Sequence, residues 1–250
     1  MARATPKDWR KYYARRKAKK AQSKAKSASD VKALASGMNV TVHDEYINTL
    51  GADFAYRQLN MMNDLFNEFD ADISKHITGV YKETLGENTY AVSHGGIKAK
   101  LGFNPKYYAD LDRFKASYDR DVRTNWHPQG TSYEHVAVHE AGHRLSQALS
   151  EKFSQTGVLP TGETFPQGIE RRVQVWSDAP TNRLIVLAKR NVKKATGMKA
   201  DAQVWDISRY AHKNNQETYA EAITDWYVNR DKAKPLSKEI VKLTKEYLNG

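Results

Sequence analysis

The sequence predicts an α+β fold, mostly helical with a small mixed sheet, and three observations predict it. His43 to Asp70 carries Tyr46, Leu50, Phe54, Leu59, Met62, Leu65 and Phe69 at three- to five-residue intervals, the period of an amphipathic helix. Short segments rich in β-branched and aromatic residues then cluster between Ile77 and Phe103, separated by Gly-containing turns. The second half of the chain returns to helical spacing. With 40% hydrophobic and 10% aromatic residues over 250 positions, there is enough apolar surface for one good core.

Taken in order, residues 1–39 read as a basic arm and linker, because Ser27 to Ser36 is small and polar, and the domain proper is expected over 40–250. The first helical stretch is expected to break near Gly51. Strands are predicted over Ile77–Lys82, Thr89–Ser93 and Ile97–Phe103, with turns at Gly86-Glu87-Asn88 and Gly95-Gly96. Phe103-Asn104-Pro105 closes the sheet, and Asp119–Gly130 reads as a polar loop. Thr131 or Ser132 then suits the N-cap of a helix. Glu151–Gln167, with Gly157, Pro160, Gly162 and Pro166, reads as a loop or insertion. A helix is expected over Ala179–Lys194, where Asp178 is placed to cap and Pro180 suits the first turn. Another carries Glu217 to Tyr227, and Leu236–Leu248 forms a closing helix.

Charge is unevenly distributed. Residues 1–28 hold eleven Lys and Arg against Asp8 alone, a balance of +10, whereas the other 222 residues hold 29 basic and 28 acidic groups. The formal +11 is therefore a property of the arm. Arg10, Lys11, Arg15, Arg16, Lys17, Lys19 and Lys20, interleaved with Trp9, Tyr12 and Tyr13, suit nucleic-acid phosphates or an anionic surface, and equally a solubilising tail. There is no cysteine, which excludes disulfides and thiolate metal sites. No apolar run reaches bilayer-spanning length and no secretory h-region opens the chain, so a cytoplasmic or virion-associated protein without a signal peptide is expected.

One pentapeptide points to chemistry. His139-Glu140-Ala141-Gly142-His143 sits in a helical stretch, so its two histidines share one face and are placed to bind one Zn²⁺, with Glu140 beside them. A two-histidine site needs a carboxylate, and Glu217 or Glu221 is the natural candidate, being four apart on a second helix. His135, one turn before His139, reads as a helix-surface residue or a supporting neighbour of the ligands, His127 as a turn residue or one that lines a cleft, and His94 as hairpin structure.

Tyr210, Glu217 and Ala220-Glu221-Ala222 fall in the spacing Y-x₆-E-x₂-A-E-A, and with the pentapeptide they resemble the anthrax lethal factor-like zinc peptidases. That gluzincin group is also found among toxins and phage-encoded proteins. The resemblance spans roughly residues 126–227 and rests on the two motifs; Ala141 stands where the family usually has an aromatic residue. It implies a zincin-like domain in which His139, His143 and Glu217 hold Zn²⁺, Glu140 is the general base, Glu221 supports a ligand histidine, and Tyr210 steadies the transition state. A protein or peptide substrate, paired to a strand of the small sheet, would be hydrolysed. The alternative is a virion-type structural protein of the same fold, catalytically weak or inactive, acting through nucleic acid bound by its arm.

Overall fold

The computed structural model describes residues 25–95, 99–164 and 178–250. Arg10, Lys11, Arg15, Arg16, Lys17, Lys19 and Lys20 lie outside the described residues, as does the start of the strand expected from Ile97.

Ser27 opens a helix where a linker was expected. Its hydroxyl accepts the Asp30 N–H and its own N–H is taken by the Asp30 carboxylate, a capping box that starts α1 (Ala28–Gly37). Val31, Ala35 and Met38, spaced four and three apart, are buried, and α1 packs on α3. Residues ahead of Val40, from Ser27 on, are therefore packed on the domain and do not form a linker. Helices α2 (Asp44–Leu50) and α3 (Ala52–Glu68) break at Gly51 as expected, because φ 77°, ψ 147° is a conformation open essentially to glycine. The seven spaced hydrophobic residues from Tyr46 to Phe69 are all buried.

After the short α4 (Ile73–His76), four strands form one mixed sheet: β1 (Thr41–Val42), β2 (Gly79–Lys82), β3 (Ala91–His94) and β4 (Lys100–Phe103). The order is β1-β2-β4-β3, parallel except for the antiparallel β3–β4 pair, which leaves β3 on an edge. Asn104 ties the sheet's exit to the preceding loop through bonds from its amide to the Gly86 and Thr89 carbonyls.

Helix α5 (Pro105–Tyr108) leads into α6 (Leu111–Arg123), whose N-cap Asp110 accepts the Arg113 N–H at 3.0 Å. The loop expected from Asp119 thus starts only at Thr124: Phe114, Tyr118 and Val122 keep a four-residue spacing on the core face, which outweighs the polar residues between them. A 3₁₀ turn (Tyr133–His135), capped by Ser132, then enters α7 (Val136–Thr156). Likewise α7 continues past Glu151, carrying Phe153 into the core after Leu145 and Leu149, until Gly157 stops it at φ 70°.

The last layer comprises α8 (Ala179–Thr196), α9 (Ala200–Ile207), a 3₁₀ turn (Tyr210–Lys213), α10 (Asn215–Asn229) and α11 (Pro235–Asn249). Asp178 occupies the N-cap position of α8 without a side-chain capping bond, whereas Asn214 caps α10 by accepting the Glu217 N–H at 2.8 Å. No described helix is long and apolar enough to cross a membrane.

Helix α7 is buried on nearly every side, and its tightest neighbour is α10. A Cβ built on Gly142 would meet the Ala220 Cα at 3.2 Å and its Cβ at 3.5 Å, so the two backbones approach as closely as a glycine allows. Gly142→Ala is expected to forfeit the roughly 1 kcal/mol that a helical Gly→Ala change usually gains. Gly142→Val, which must push the helices apart, is expected to cost about 2–3 kcal/mol in denaturant unfolding. A valine variant as stable as the parent would show that the approach is not a constraint.

Candidate metal centre

The contact of Gly142 with Ala220 places one i, i+4 pair from each helix opposite the other. On α7 the pair is His139 and His143; on α10 it is Glu217 and Glu221. The Nε2 atoms of His139 and His143 lie 3.2 Å apart, and Glu217 Oε2 lies 3.2 Å from the first and 3.3 Å from the second. Three donor atoms thus form a nearly equilateral triangle. Ligands 2.0–2.1 Å from a tetrahedral ion stand roughly 3.3–3.4 Å from one another, so both spacing and donor types fit a cation such as Zn²⁺. Glu217 Oε2 is moreover buried and lies within 3.3 Å of both imidazole Nε2 atoms, so the carboxylate and the two rings share one small space that a single cation would bridge. Among the described residues, His139, His143 and Glu217 are the one group of three so arranged.

Glu221 lies behind the triangle, 1% exposed. Its Oε1 is 2.9 Å from His139 Nδ1 and 3.2 Å from His127 Nδ1, and its Oε2 accepts the Ser208 hydroxyl at 2.7 Å. A carboxylate at the far nitrogen orients a ligating imidazole and raises its basicity, the part expected of Glu221. Burial alone would raise its pKa, but His127 and His139 outweigh that and bring it down to about 2. Burial likewise opposes ionisation of Glu217, and His139 and His143 hold it far below the usual carboxylate range. Tyr210 donates to the other Glu217 oxygen, Oε1, at 3.2 Å, and burial with that carboxylate raises its phenol.

Glu140 is 7% exposed and lines the cleft beside His139. Burial pushes its carboxyl up, and the neighbouring His139 and His143 offset this only in part. The cleft has two wings that meet at His139, Glu140, Tyr210 and Lys213. One, of about 480 Å³, is walled by Tyr90, Tyr107, Tyr118 and Trp126; the other by Val92, Ser93, Arg144 and Gln216. The edge strand β3 contributes to both.

His139, Glu140, His143, Tyr210, Glu217 and Glu221 come together; the basic arm lies outside the described residues. His135 caps the entry to α7, its Nδ1 accepting the Ser132 N–H at 2.9 Å, and His94 pairs with Glu83 at 2.8 Å. His127 lines the cleft, the second of its two expected places, and is buried against Glu221 and stacked on Tyr118 with ring centroids 4.8 Å apart. Ser208 escaped notice altogether. A buried carboxylate needs several donors, but nothing in the local sequence says which loops supply them.

Compared with known proteins, the chain matches no family model, no curated protein and no solved structure.

The geometry predicts about one zinc per chain in the purified protein, with His143→Ala and Glu217→Ala losing it. Glu221→Gln is expected to weaken zinc binding roughly 10- to 100-fold, the usual effect of removing the partner of a ligating histidine. Metal analysis and chelator competition decide it; equal zinc in all four proteins would dismantle the centre.

Proposed function

We propose that this chain is a zinc-dependent metallopeptidase of the lethal factor-like gluzincin type. The observation that carries the reading is the convergence of His139, His143 and Glu217 on one triangle, with buried Glu140 in the cleft alongside. The second motif supports it independently, since Tyr210 and Glu221 each touch a member of the triangle.

Zn²⁺, when bound, would lower the pKa of a coordinated water and polarise a peptide carbonyl. Glu140, buried in the cleft beside His139, is placed to accept a proton from such a water and would pass it to the leaving amine. Tyr210, whose hydroxyl lies at Glu217 Oε1, turns from that oxygen to donate to the developing oxyanion. Glu221 keeps His139 oriented throughout. A peptide laid along β3 uses the free hydrogen-bonding edge of the sheet, which positions an extended backbone over the cleft floor.

The arm supplies a second, separable proposal: binding to a polyanion, nucleic acid in particular, resting on its balance of +10. Such binding would bring the peptidase to a nucleoprotein or virion, and a weak peptidase with tight polyanion binding would favour the structural alternative.

Glu140→Gln is expected to retain zinc while losing hydrolysis of a peptide library by at least 10³-fold, and Tyr210→Phe to lower kcat by roughly 10²-fold with little change in KM. Turnover by the Glu140→Gln variant at the parent rate would refute the mechanism. Replacing Arg10, Lys11, Arg15, Arg16, Lys17, Lys19 and Lys20 by Gln is expected to abolish a salt-sensitive DNA or RNA gel shift, and an unchanged shift would discard the arm proposal.

A further inference from the structure

We infer that Arg144 and Ser93 form an anion subsite in the second wing of the cleft, which selects a peptide bearing a carboxylate close to the bond being cut. The inference rests on the peptidase reading and adds the class of substrate.

Arg144 follows the ligand His143 and lies one helical turn beyond Glu140, so its side chain leaves α7 beside the metal centre. It is only 7% exposed, yet among the described residues neither Nε nor Nη1 has a hydrogen-bond partner. Glu140 and Glu151 act on it only electrostatically. A guanidinium taken out of water with its donors unmet is costly unless an acceptor arrives. A second unmet group faces the same wing: the Ser93 hydroxyl, buried on edge strand β3 and without a partner among the described residues.

Gly95, just beyond β3, lies against this side chain: a Cβ built there would rest 3.8 Å from both Nη1 and Nη2 of Arg144, in ordinary van der Waals contact. The Ser146 hydroxyl of the same wing is not available in this way, because its one proton is already taken by the His143 carbonyl at 2.7 Å, with Gln216 Oε1 a second acceptor at 3.1 Å. A fork of guanidinium donors and a hydroxyl lining the same wing suit a planar carboxylate, which accepts two parallel N–H bonds and keeps a lone pair for a third donor. In a peptide that carboxylate is an Asp or Glu side chain or the C-terminus. The other wing holds Arg120 beside its four aromatic walls, but that guanidinium is exposed and already bonded to Ser117 and paired with Asp121.

The test uses the full-length, zinc-loaded Glu140→Gln protein, which binds without turning over. Calorimetry is run with end-blocked alanine heptapeptides carrying one Glu walked along the chain, each beside its Gln counterpart, and with an alanine heptapeptide whose C-terminus is free or amidated. One Glu position, or the free C-terminus, is expected to bind at least tenfold more tightly than its neutral counterpart, and which of them does so identifies the source of the carboxylate. Adding Arg144→Gln is expected to erase the advantage, and adding Ser93→Ala to reduce it about threefold. No advantage at any position, or an advantage that survives Arg144→Gln, overturns the subsite. Zinc content reports whether Arg144→Gln has folded; if it has not, an advantage undiminished by Ser93→Ala overturns the proposal instead. The preferred peptide is then given to the unmutated protein: failure to cleave counts against the peptidase and leaves the subsite standing.

Discussion

The structure depends on the contact of Gly142 with Ala220. A Cβ at position 142 already needs Ala220 to give by a few tenths of an ångström, and a branched side chain there would push α7 and α10 apart, and with them the atoms that face each other across the contact, His139 and His143 against Glu217 and Glu221. Because each helix contributes a pair four residues apart, one crossing point sets four side chains at once. A slip of one turn, about 5.4 Å, would remove every contact together. The two alanines beside Glu221 belong to the same constraint: Ala220 and Ala222 are fully buried, and bulk at either would be felt in a packed interior.

Around that contact the fold tolerates an expensive concentration of buried charge. Glu140, Glu217 and Glu221 lie within one or two turns of each other across the helices, and ionised carboxylates so placed must be matched by donors or cations. Glu221 is matched by two imidazoles and a hydroxyl, drawn from the loop after α6, from α7 and from the end of α9. Glu217 meets Tyr210 on one oxygen and the Nε2 atoms of His139 and His143 on the other. Glu221 thus lies behind the rings at a far nitrogen, whereas Glu217 shares the space between the two near nitrogens, where a cation would sit. Sites that break the usual rules of polar satisfaction while the rest of a fold obeys them are where function is expected.

The helix-borne parts of this arrangement were legible in the sequence because an α-helix converts spacing into direction by local geometry alone. His139, His143, Glu217 and Glu221 needed only their intervals, and the break at Gly51 only one residue's conformational range. What composition obscured was continuity. Ser27 to Ser36 is small and polar, yet its Val31, Ala35 and Met38 face the core; Asp119 to Arg123 and Glu151 to Thr156 are polar on the outer face of helices whose inner face still carries Val122 and Phe153. Contributions from loops were illegible for a deeper reason. His127 reaches Glu221 across 94 residues of sequence and Ser208 across 13, and such pairings are decided by how the elements pack. The edge position of β3 is of the same kind, since neighbouring strands in sequence need not be neighbours in a mixed sheet.

The two wings of the cleft follow from this architecture. Strand β3 is an edge because β4 turns inward to pair with β2, and α7 runs beneath it. Ala91, at the start of β3, lines both wings; Tyr90 before it lines the wing toward α6 and the Trp126 loop, rich in tyrosine, and Val92 and Ser93 after it line the wing toward α7, where Arg144 lies. A chain bound along β3 would be held by its backbone, which every peptide shares, and sorted by what its side chains meet in the two wings. Discrimination in such a site comes chiefly from the polar wing. An apolar pocket separates side chains by only about 1–3 kcal/mol per methylene, whereas a buried donor set left unpaired penalises the wrong substrate more heavily.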